Sequence, residues 1–428
     1  MIYILGGGIA GISAGYHLNL KNIPNVVLEK RSTWGGLLDN FKIGDFTFDH
    51  CVHLSFTKDE YVKQVFAEST DFITHKPESS NYYKGYWLRH PAQNNLSPLP
   101  VEEKIKIITD FVNNPYSTDE AVIKNYEDWL FAQYGTYFTE NFPKTYTRKY
   151  WTIDAKDLSV DWVGNRMYRP GIEEVLKGAF TADTANVYYA SEMRYPVEGG
   201  YKSFIRKMAE SSIIQTSVEV VAVDTKNRKL TFASGKEELF TRLISTLPLP
   251  ILIGMMSDVP VNVKEAAEKL LWTSVDLVSI GFNKSDIPKY LWFYMYDEDI
   301  YPSRAYSPSL KSSNNVPEGC SSLQFEIYSS SKKLMELTSE ALVEHVISKM
   351  ISMNICKEED IILKDQRRVE FGNVVFDHHH KEATSIIHKY LDEQGILYAG
   401  RFGEWGYLWS DQSLLSGKKA ADSISINN

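Results

Sequence analysis

The sequence predicts an α/β protein built on an N-terminal βαβ unit, with a helical insertion and a strand-rich second domain. Three observations predict it. An apolar strand, a glycine-rich turn, an apolar-periodic helix and a second apolar strand succeed one another between Met1 and Glu29. No strand signal falls between Val101 and Phe180. From Ser274 to about Asn373 strand patterns dominate.

Met1 to Leu5 is apolar and β-branched, and Gly6-Gly7-Gly8-Ile9-Ala10-Gly11 opens a helix carrying Ile12, Ala14 and Leu18. Val26-Val27-Leu28 then ends in Glu29. Those are the glycines a dinucleotide needs: Gly6 for a tight turn, Gly8 for backbone approach to the pyrophosphate, Gly11 for close helix–strand packing. The helix N-terminus, Ala10 included, offers free N–H groups to phosphate, and Glu29 can accept from a ribose diol. The competing reading is a glycine-rich turn in some other α/β protein. Lys30, Arg31 and the pair Gly35-Gly36 follow the acid. An acid, a basic residue and a nearby Gly-Gly resemble the two-part fingerprint of FAD-binding proteins of the amine-oxidase and glutathione-reductase type. They favour FAD over NAD, since the second glycine pair lets a loop cross the phosphate and ribityl arm.

The chain has 428 residues, enough for two or three domains, and 43% are hydrophobic. Aromatic residues make up 13%, with 26 Tyr and 9 Trp, so some can line a pocket for a ring or a sugar face. A net charge of −9 argues against nucleic acid or an acidic membrane as the main partner, and an anionic substrate needs local arginines. Cys51, Cys320 and Cys356 are widely spaced, which suggests a reducing compartment. With a strand starting at Met1 and no apolar run near about 20 residues, the expectation is a cytoplasmic protein without a membrane span.

Phe46 to Phe56 alternates as a strand running into a loop. His53 follows the second fingerprint closely enough to reach a flavin ring, although on spacing alone a structural histidine is the stronger reading. Tyr86 to Pro100 reads as a loop whose amides and aromatics contact a base or sugar, or only cap the next helix. Val101–Phe111 and Asp119–Tyr134 are amphipathic, the second with Ser117 or Thr118 as cap, and Asn141 to Phe180 continues largely helical. Trp151, Trp162 and Arg166 are either core with a surface charge or part of a site. Gly199-Gly200 precedes a helix, Val218–Val223 forms a strand that brings Val220 back to the nucleotide domain, and Arg228–Ala233 pairs with it. Leu243–Pro248 is a buried strand and turn. In the strand-rich region Trp292-Phe293-Tyr294 and Arg304 form a substrate floor or an ordinary aromatic sheet. His378-His379-His380 is read as a solvated turn, and no metal is assigned. Ile396–Ala399 is a strand, Gly400 to Tyr407 a glycine- and aromatic-rich loop, and Asp411-Gln412-Ser413 opens the final helix, Leu414 to Ile426.

Five ordered stretches resemble UDP-galactopyranose mutases, the eukaryotic type more than the bacterial. They are Phe48 to His53, His90 to Asn95, Tyr146 to Arg166, Trp292-x-Tyr294 with Arg304, and Gly400-Arg401-Phe402-Gly403-x-Trp405-x-Tyr407. The resemblance implies an FAD domain of glutathione-reductase type, a helical domain and a six-stranded-type antiparallel β-sheet substrate domain. It implies reduced FAD, whose N5 attacks the anomeric carbon and displaces the nucleotide diphosphate before the sugar recloses in the other ring size. NAD(P)H is a candidate reductant. Arg304 and Arg401 match the arginines that hold the diphosphate, a doubly negative leaving group that Arg can bind bidentately. His53 matches the histidine beside flavin N5. Phe56, Gln93, Trp151, Arg166, Trp292, Tyr294 and Tyr407 match substrate positions, with His90 and Thr147 at the uridine site. Gly400, Arg401 and Ser413 fall at the cofactor.

Departures fall in the pocket. Cys51-Val52 replaces Gly-Gly before the histidine, which makes that backbone less able to shift with flavin redox state. His90 replaces Tyr, Thr147 replaces Asn, Asn373 replaces Tyr, and the C-terminal motif shortens to Asp411-Gln412-Ser413. The expected domains are 1–76, 193–255 and 385–428 for the cofactor, 97–185 for the helices, and 77–96 with 256–384 for the sheet. The function expected is a nucleotide-sugar pyranose–furanose mutase for cell-surface polysaccharide synthesis. The alternatives are an FAD oxidoreductase of the amine-oxidase/protoporphyrinogen-oxidase type and a non-catalytic FAD protein.

Overall fold

A computed structural model describes residues 1–116, 118–119, 121–164, 167–185 and 190–424. The βαβ unit is present as Ile2–Leu5, helix Ile9–Leu20 and Asn25–Leu28. Both strands are buried end to end, so they read as continuous apolar runs, as parallel strands covered on both faces do. They belong to a five-stranded parallel sheet in the order Ile396–Tyr398, Arg242–Ser245, Ile2–Leu5, Asn25–Leu28, Ile214–Gln215. Helix Ile9–Leu20 lies between this sheet and helix Ser410–Asp422, and two glycines allow the fit. A Cβ on Gly11 would stand 1.9 Å from the Gly6 carbonyl oxygen, and one on Gly417 would stand 2.0 Å from that of Ala10.

The sheet expected as six-stranded and antiparallel has seven strands among the described residues, and one junction is parallel. Its order is Ile361–Val374, Trp272–Phe282, Ser321–Ser329, Arg304–Tyr306, Trp292–Met295, Ser79–Tyr83, Tyr86–Arg89. Ser79–Tyr83 runs parallel to Trp292–Met295 because it joins from an earlier, separate segment rather than by a hairpin. Ser321–Ser329 is buried along its whole length. Alternation sends Leu323, Phe325 and Ile327 into an apolar core with Leu342, Val346 and Met350 of helix Ser339–Ser352. The intervening Gln324, Glu326 and Tyr328 point to the other face.

Between Val101 and Phe180 the described elements are all helical: Val101–Val112, Tyr126–Tyr134, Thr136–Asn141, Pro143–Tyr150, Ala155–Asp157 and Ile172–Phe180. The helix expected from Asp119 starts instead at Tyr126, where Asn125 Oδ1 accepts from the Asp128 N–H and Glu127 and Asp128 face the positive helix end. Ser117 lies outside the described residues. The stretch after Tyr150 is less helical than expected, since Thr152 takes a positive φ of 65° and stops the helix. Gly400–Gly403 is one helical turn rather than a loop, and the last helix begins at Ser410, ahead of the expected start. His380 is no solvated turn: its ring packs on Phe376 and Nε2–H donates to the Trp405 carbonyl at 2.8 Å. No described helix is long and apolar enough to cross a membrane.

Close glycine contacts such as that of Gly417 differ from open ones such as Gly254 in what a side chain would meet, and that sets a test. Gly417→Val drives carbon into a backbone carbonyl that cannot retreat, at a cost of about 3 kcal/mol or more. Gly254→Ala meets nothing within 4 Å and should leave the urea-unfolding midpoint unchanged or slightly raised.

Candidate active site

One cavity of about 620 Å³ runs from the glycine turn of the βαβ unit to the polar face of the seven-stranded sheet, within the usual range for a cofactor or ligand pocket. At one end it is a dinucleotide cradle. Gly7 O accepts from Gly35 N–H at 2.8 Å, which draws the second glycine pair over the first. A Cβ on Gly36, whose φ is +60°, would stand 3.0 Å from Gly8 Cα. Gly8, Ile9 and Ala10 of the helix start line the cavity with no acidic residue in the first turn. Their N–H groups and the helix dipole suit a diphosphate. Glu29 lines the wall with its carboxylate fixed by the N–H groups of Gly7 and Arg31, both at 2.8 Å. These residues fit a dinucleotide.

Gly6, Lys30, Gly35, Val220, Gly400, Arg401 and Ser413 line the same cavity. Gly11 does not; it serves the packing beneath. At the other end stand His53, Phe56, Trp292, Tyr294, Arg304 and Tyr407. Sequence positions more than 340 apart thus meet at one wall. The structure does not bring His90, Gln93, Thr147 or Trp151 to that wall. His90 Nδ1 bonds Asn81 Oδ1 at 3.2 Å and its ring packs on Tyr294 at 5.0 Å. Gln93 donates to Tyr168 O, and Thr147 donates back to Pro143 O within its own helix. Trp151 is buried against Trp162 and Tyr407, one layer behind. Arg166 lies outside the described residues.

The two arginines differ. Arg304 Nε donates to Glu326 Oε2, and Nη2 donates to the Tyr328 hydroxyl at 3.1 Å. Tyr328 in turn donates to Glu326 Oε2 at 2.6 Å, while Glu326 Oε1 accepts the Val52 N–H at 2.7 Å. Burial works against the charge on Arg304, but Glu326 together with Tyr328, Tyr150 and Tyr146 outweighs it and lifts the guanidinium well above its usual range. Arg401 has no carboxylate partner among the described residues. Its Nε and Nη2 donate to Leu408 O at 3.0 and 2.8 Å, and Nη1 donates to Asn373 Oδ1 at 3.1 Å. Its charge is therefore held in place by neutral acceptors and left for an anion.

Sequence reasoning missed Glu326, Tyr328, Asp49 and Lys311. Asp49 and Lys311 form a 2.6 Å ion pair with neither side chain exposed. The signal for Glu326 was the alternation within Ser321–Ser329, which sends every second residue to the cavity side. Lys311 carried no signal, because it ends the four-residue helix Pro308–Lys311 amid serines.

The comparisons bear on the fold. Residues 4–69 match the family of NAD(P)-binding Rossmann-like domains. The whole chain is similar to reduced UDP-galactopyranose mutase, with a TM-score of 0.92 and 24% identity over 98% of this chain and 94% of that one. It is similar to a candidate protoporphyrinogen oxidase from Exiguobacterium sp. 255-15, with a TM-score of 0.76 and 15% identity over 100% and 99%. An engineered putrescine oxidase gives 0.69 and 14% over 99% and 98%. The resemblance that the five motifs suggested holds for the fold, a mixed α/β architecture with a Rossmann-like domain that the mutase shares with these oxidases.

Enclosure in the structure pushes His53 down to about 3 and His90 to about 4 from an ordinary 6.5. Between those values the unfolded chain binds more protons than the folded one, so stability falls as pH drops from about 6.5 toward 4. The urea midpoint should decline over that range, and less steeply in a His53→Asn, His90→Asn double variant.

Proposed function

We propose that this chain is an FAD-dependent nucleotide-sugar mutase that interconverts pyranose and furanose forms. The observation that carries the reading is the pair Arg304 and Arg401 in the wall of the cavity that also holds the glycine cradle. The cradle residues Gly6, Gly8, Ala10, Glu29, Gly36 and Ser413 would hold FAD, which in its reduced form supplies the nucleophile for the anomeric carbon. Everything else falls to the chain. Arg401 and the unengaged edge of Arg304 hold the diphosphate while its bond to the sugar is broken, so that a doubly negative leaving group neither leaves nor needs water. Trp292, Tyr294, Phe56 and Tyr407 form an aromatic wall for the sugar and the base. Trp292 Nε1–H donates to Tyr294 OH at 3.0 Å and fixes that wall. His53 Nδ1 can only donate to the Cys51 carbonyl, 3.2 Å away, which leaves Nε2 as an acceptor toward the cavity.

The sheet and helical regions are read as a substrate domain (77–96 with 256–384) and a helical domain (97–185) on a discontinuous cofactor domain (1–76, 193–255, 385–428). The parallel pairing of Ser79–Tyr83 with Trp292–Met295 supports the first assignment, and that of Ile396–Tyr398 with Arg242–Ser245 supports the last.

A second reading, an FAD oxidoreductase of the amine-oxidase kind, draws support from one feature. Glu326 cancels the charge of Arg304, which weakens the site for an anion. The deciding experiment is chromatography of UDP-galactopyranose and UDP-galactofuranose after incubation with dithionite-reduced and with oxidised protein. Interconversion only in the reduced state is expected. Net oxidation with consumption of an electron acceptor, and no interconversion of any nucleotide sugar, selects the oxidoreductase. For the mutase, Arg401→Ala should weaken UDP binding about 100-fold, and Arg401→Lys should recover only part of it. Unchanged UDP affinity in Arg401→Ala would remove the diphosphate assignment.

A further inference from the structure

We propose that helices Val101–Val112 and Ile172–Phe180 form a self-complementary face, which a second copy of this chain covers in an isologous dimer. The first helix fully buries only Ile107, and the second buries Val175, Gly178 and Ala179. Their other apolar residues turn to solvent. Val101, Ile105 and Val112 recur at a spacing that keeps them on one side of the first helix, and Ile172, Leu176 and Phe180 do the same on the second. Ile105 is 58% exposed and Phe180 84%. The outward turn of Phe180 is imposed by its own helix. A Cβ on Gly178 would stand 1.8 Å from the Asn94 carbonyl oxygen, so the helix is seated by a residue without a side chain and cannot roll over to bury its stripe.

The two stripes make one surface. Lys104 Nζ donates to the Ala179 carbonyl at 3.3 Å, and the Arg169 guanidinium lies 5.8 Å from the Phe111 ring. The start of one helix therefore lies beside the end of the other, and the pair is antiparallel. Around the first helix Lys104 and Phe111 fall between Ile107 and the stripe, and around the second Ala179 falls between Gly178 and the stripe, so both stripes border the seam. At ordinary side-chain areas the six residues leave about 650 Å² uncovered, above the roughly 300–600 Å² of the largest patch on a monomer and near the roughly 800 Å² that each partner of a stable dimer buries. The rim identifies the occupant. Glu102 and Lys106 flank the first stripe, Glu173 and Lys177 the second, all four exposed and neutral in sum. Such a rim gives an acidic bilayer or a strongly charged partner no hold. A copy of the same face matches it. A two-fold axis lying in the face, whether along the helices or across them, runs each helix antiparallel to the one it faces, and so sets every glutamate of the rim toward a lysine of the other copy.

The test is light scattering on the full chain as purified, eluting from a size-exclusion column. Wild type should have twice the mass of the chain. Ile105→Glu with Phe180→Glu should weaken the dimer about 100-fold or more and give a monomer. Leu334→Glu, the same kind of change at an apolar residue exposed outside the two helices, should leave the dimer intact. Circular dichroism and the urea midpoint of each variant separate loss of the dimer from loss of the fold. Lys106→Glu with Lys177→Glu spares the apolar face and should weaken the dimer about tenfold. Adding Glu102→Lys and Glu173→Lys should restore it, a rescue that requires facing helices to run antiparallel. A wild-type monomer at micromolar concentration overturns the proposal, and one that binds phosphatidylcholine vesicles until Phe180→Glu is made gives the face to a bilayer instead. A dimer that survives Ile105→Glu with Phe180→Glu is built on another surface and overturns it as well. No outcome depends on the flavin reading.

Discussion

A carboxylate and an ammonium without solvent hold the two halves of this site in register. Asp49 and Lys311 are 262 residues apart in sequence, one at the end of a strand in the nucleotide-binding region, the other beyond the Arg304–Tyr306 strand of the large sheet. A buried pair of this kind gains little over a well-packed apolar contact, because both ions lose their hydration. Its value is positional. Neither charge can be satisfied unless Tyr195, Tyr201 and Tyr306 close around it, so only one docking of sheet on nucleotide domain satisfies them all. Burial would raise Asp49, yet Lys311 and the Tyr201 N–H bring it below the usual carboxylate range. The same burial lowers Lys311 from its ordinary range while Asp49 pulls it back up, so each ion depends on the other.

A second ionic link repeats the design on the polar face of the sheet. Glu326 joins Arg304 to the Val52 N–H, so the arginine at the sheet and the turn carrying His53 share one carboxylate. Where glycines would leave that turn pliant, Cys51 holds a left-handed backbone conformation that a side chain makes costly, and Val52 is tied to the sheet. The cavity end of the histidine loop is in this way fixed from both sides, by Asp49 below and by Glu326 across.

Much of the fold was legible wherever burial was one-sided or local. The βαβ unit and the hairpin Val220–Asp224 with Lys229–Phe232 announce themselves within a few residues, as does helix Ser339–Ser352, whose cap Thr338 accepts from the Ala341 N–H. Ser79–Tyr83 did not, because its partner Trp292–Met295 lies more than 200 residues away and its serines and asparagine look like loop composition, and Tyr86–Arg89, which pairs with it, was hidden by the loop residues that follow. Ile361–Val374 was hidden by its exposed charged residues, the mark of an edge strand. In the site, the glycines and Arg401 could be read from motifs. His90 and Thr147 could not be placed, since a motif records the position of a side chain and not its direction. Both turn into their own packing, His90 toward Asn81 and Thr147 toward Pro143. Glu326 shows in the alternation of its strand, whereas Asp49 and Lys311 become visible only once the short helix Pro308–Lys311 is seated against strand Phe46–Asp49.

The parallel sheet takes its strands from residues 2–5, 25–28, 214–215, 242–245 and 396–398, and helix Ser410–Asp422 seats Gly417 against Ala10 at the very helix start that faces the cradle. During synthesis, then, the glycine turn is made about four hundred residues before the helix that packs on it. Until that helix arrives the phosphate end of the cavity lacks Ser410, Asp411 and Ser413, and strand Ile2–Leu5 itself gains its second neighbour only with Arg242–Ser245. Contacts of such sequence separation slow folding and expose apolar strands meanwhile. Under the flavin reading proposed above, a chain stalled before residue 410 carries the glycine cradle without the Ser410, Asp411 and Ser413 side of its cavity.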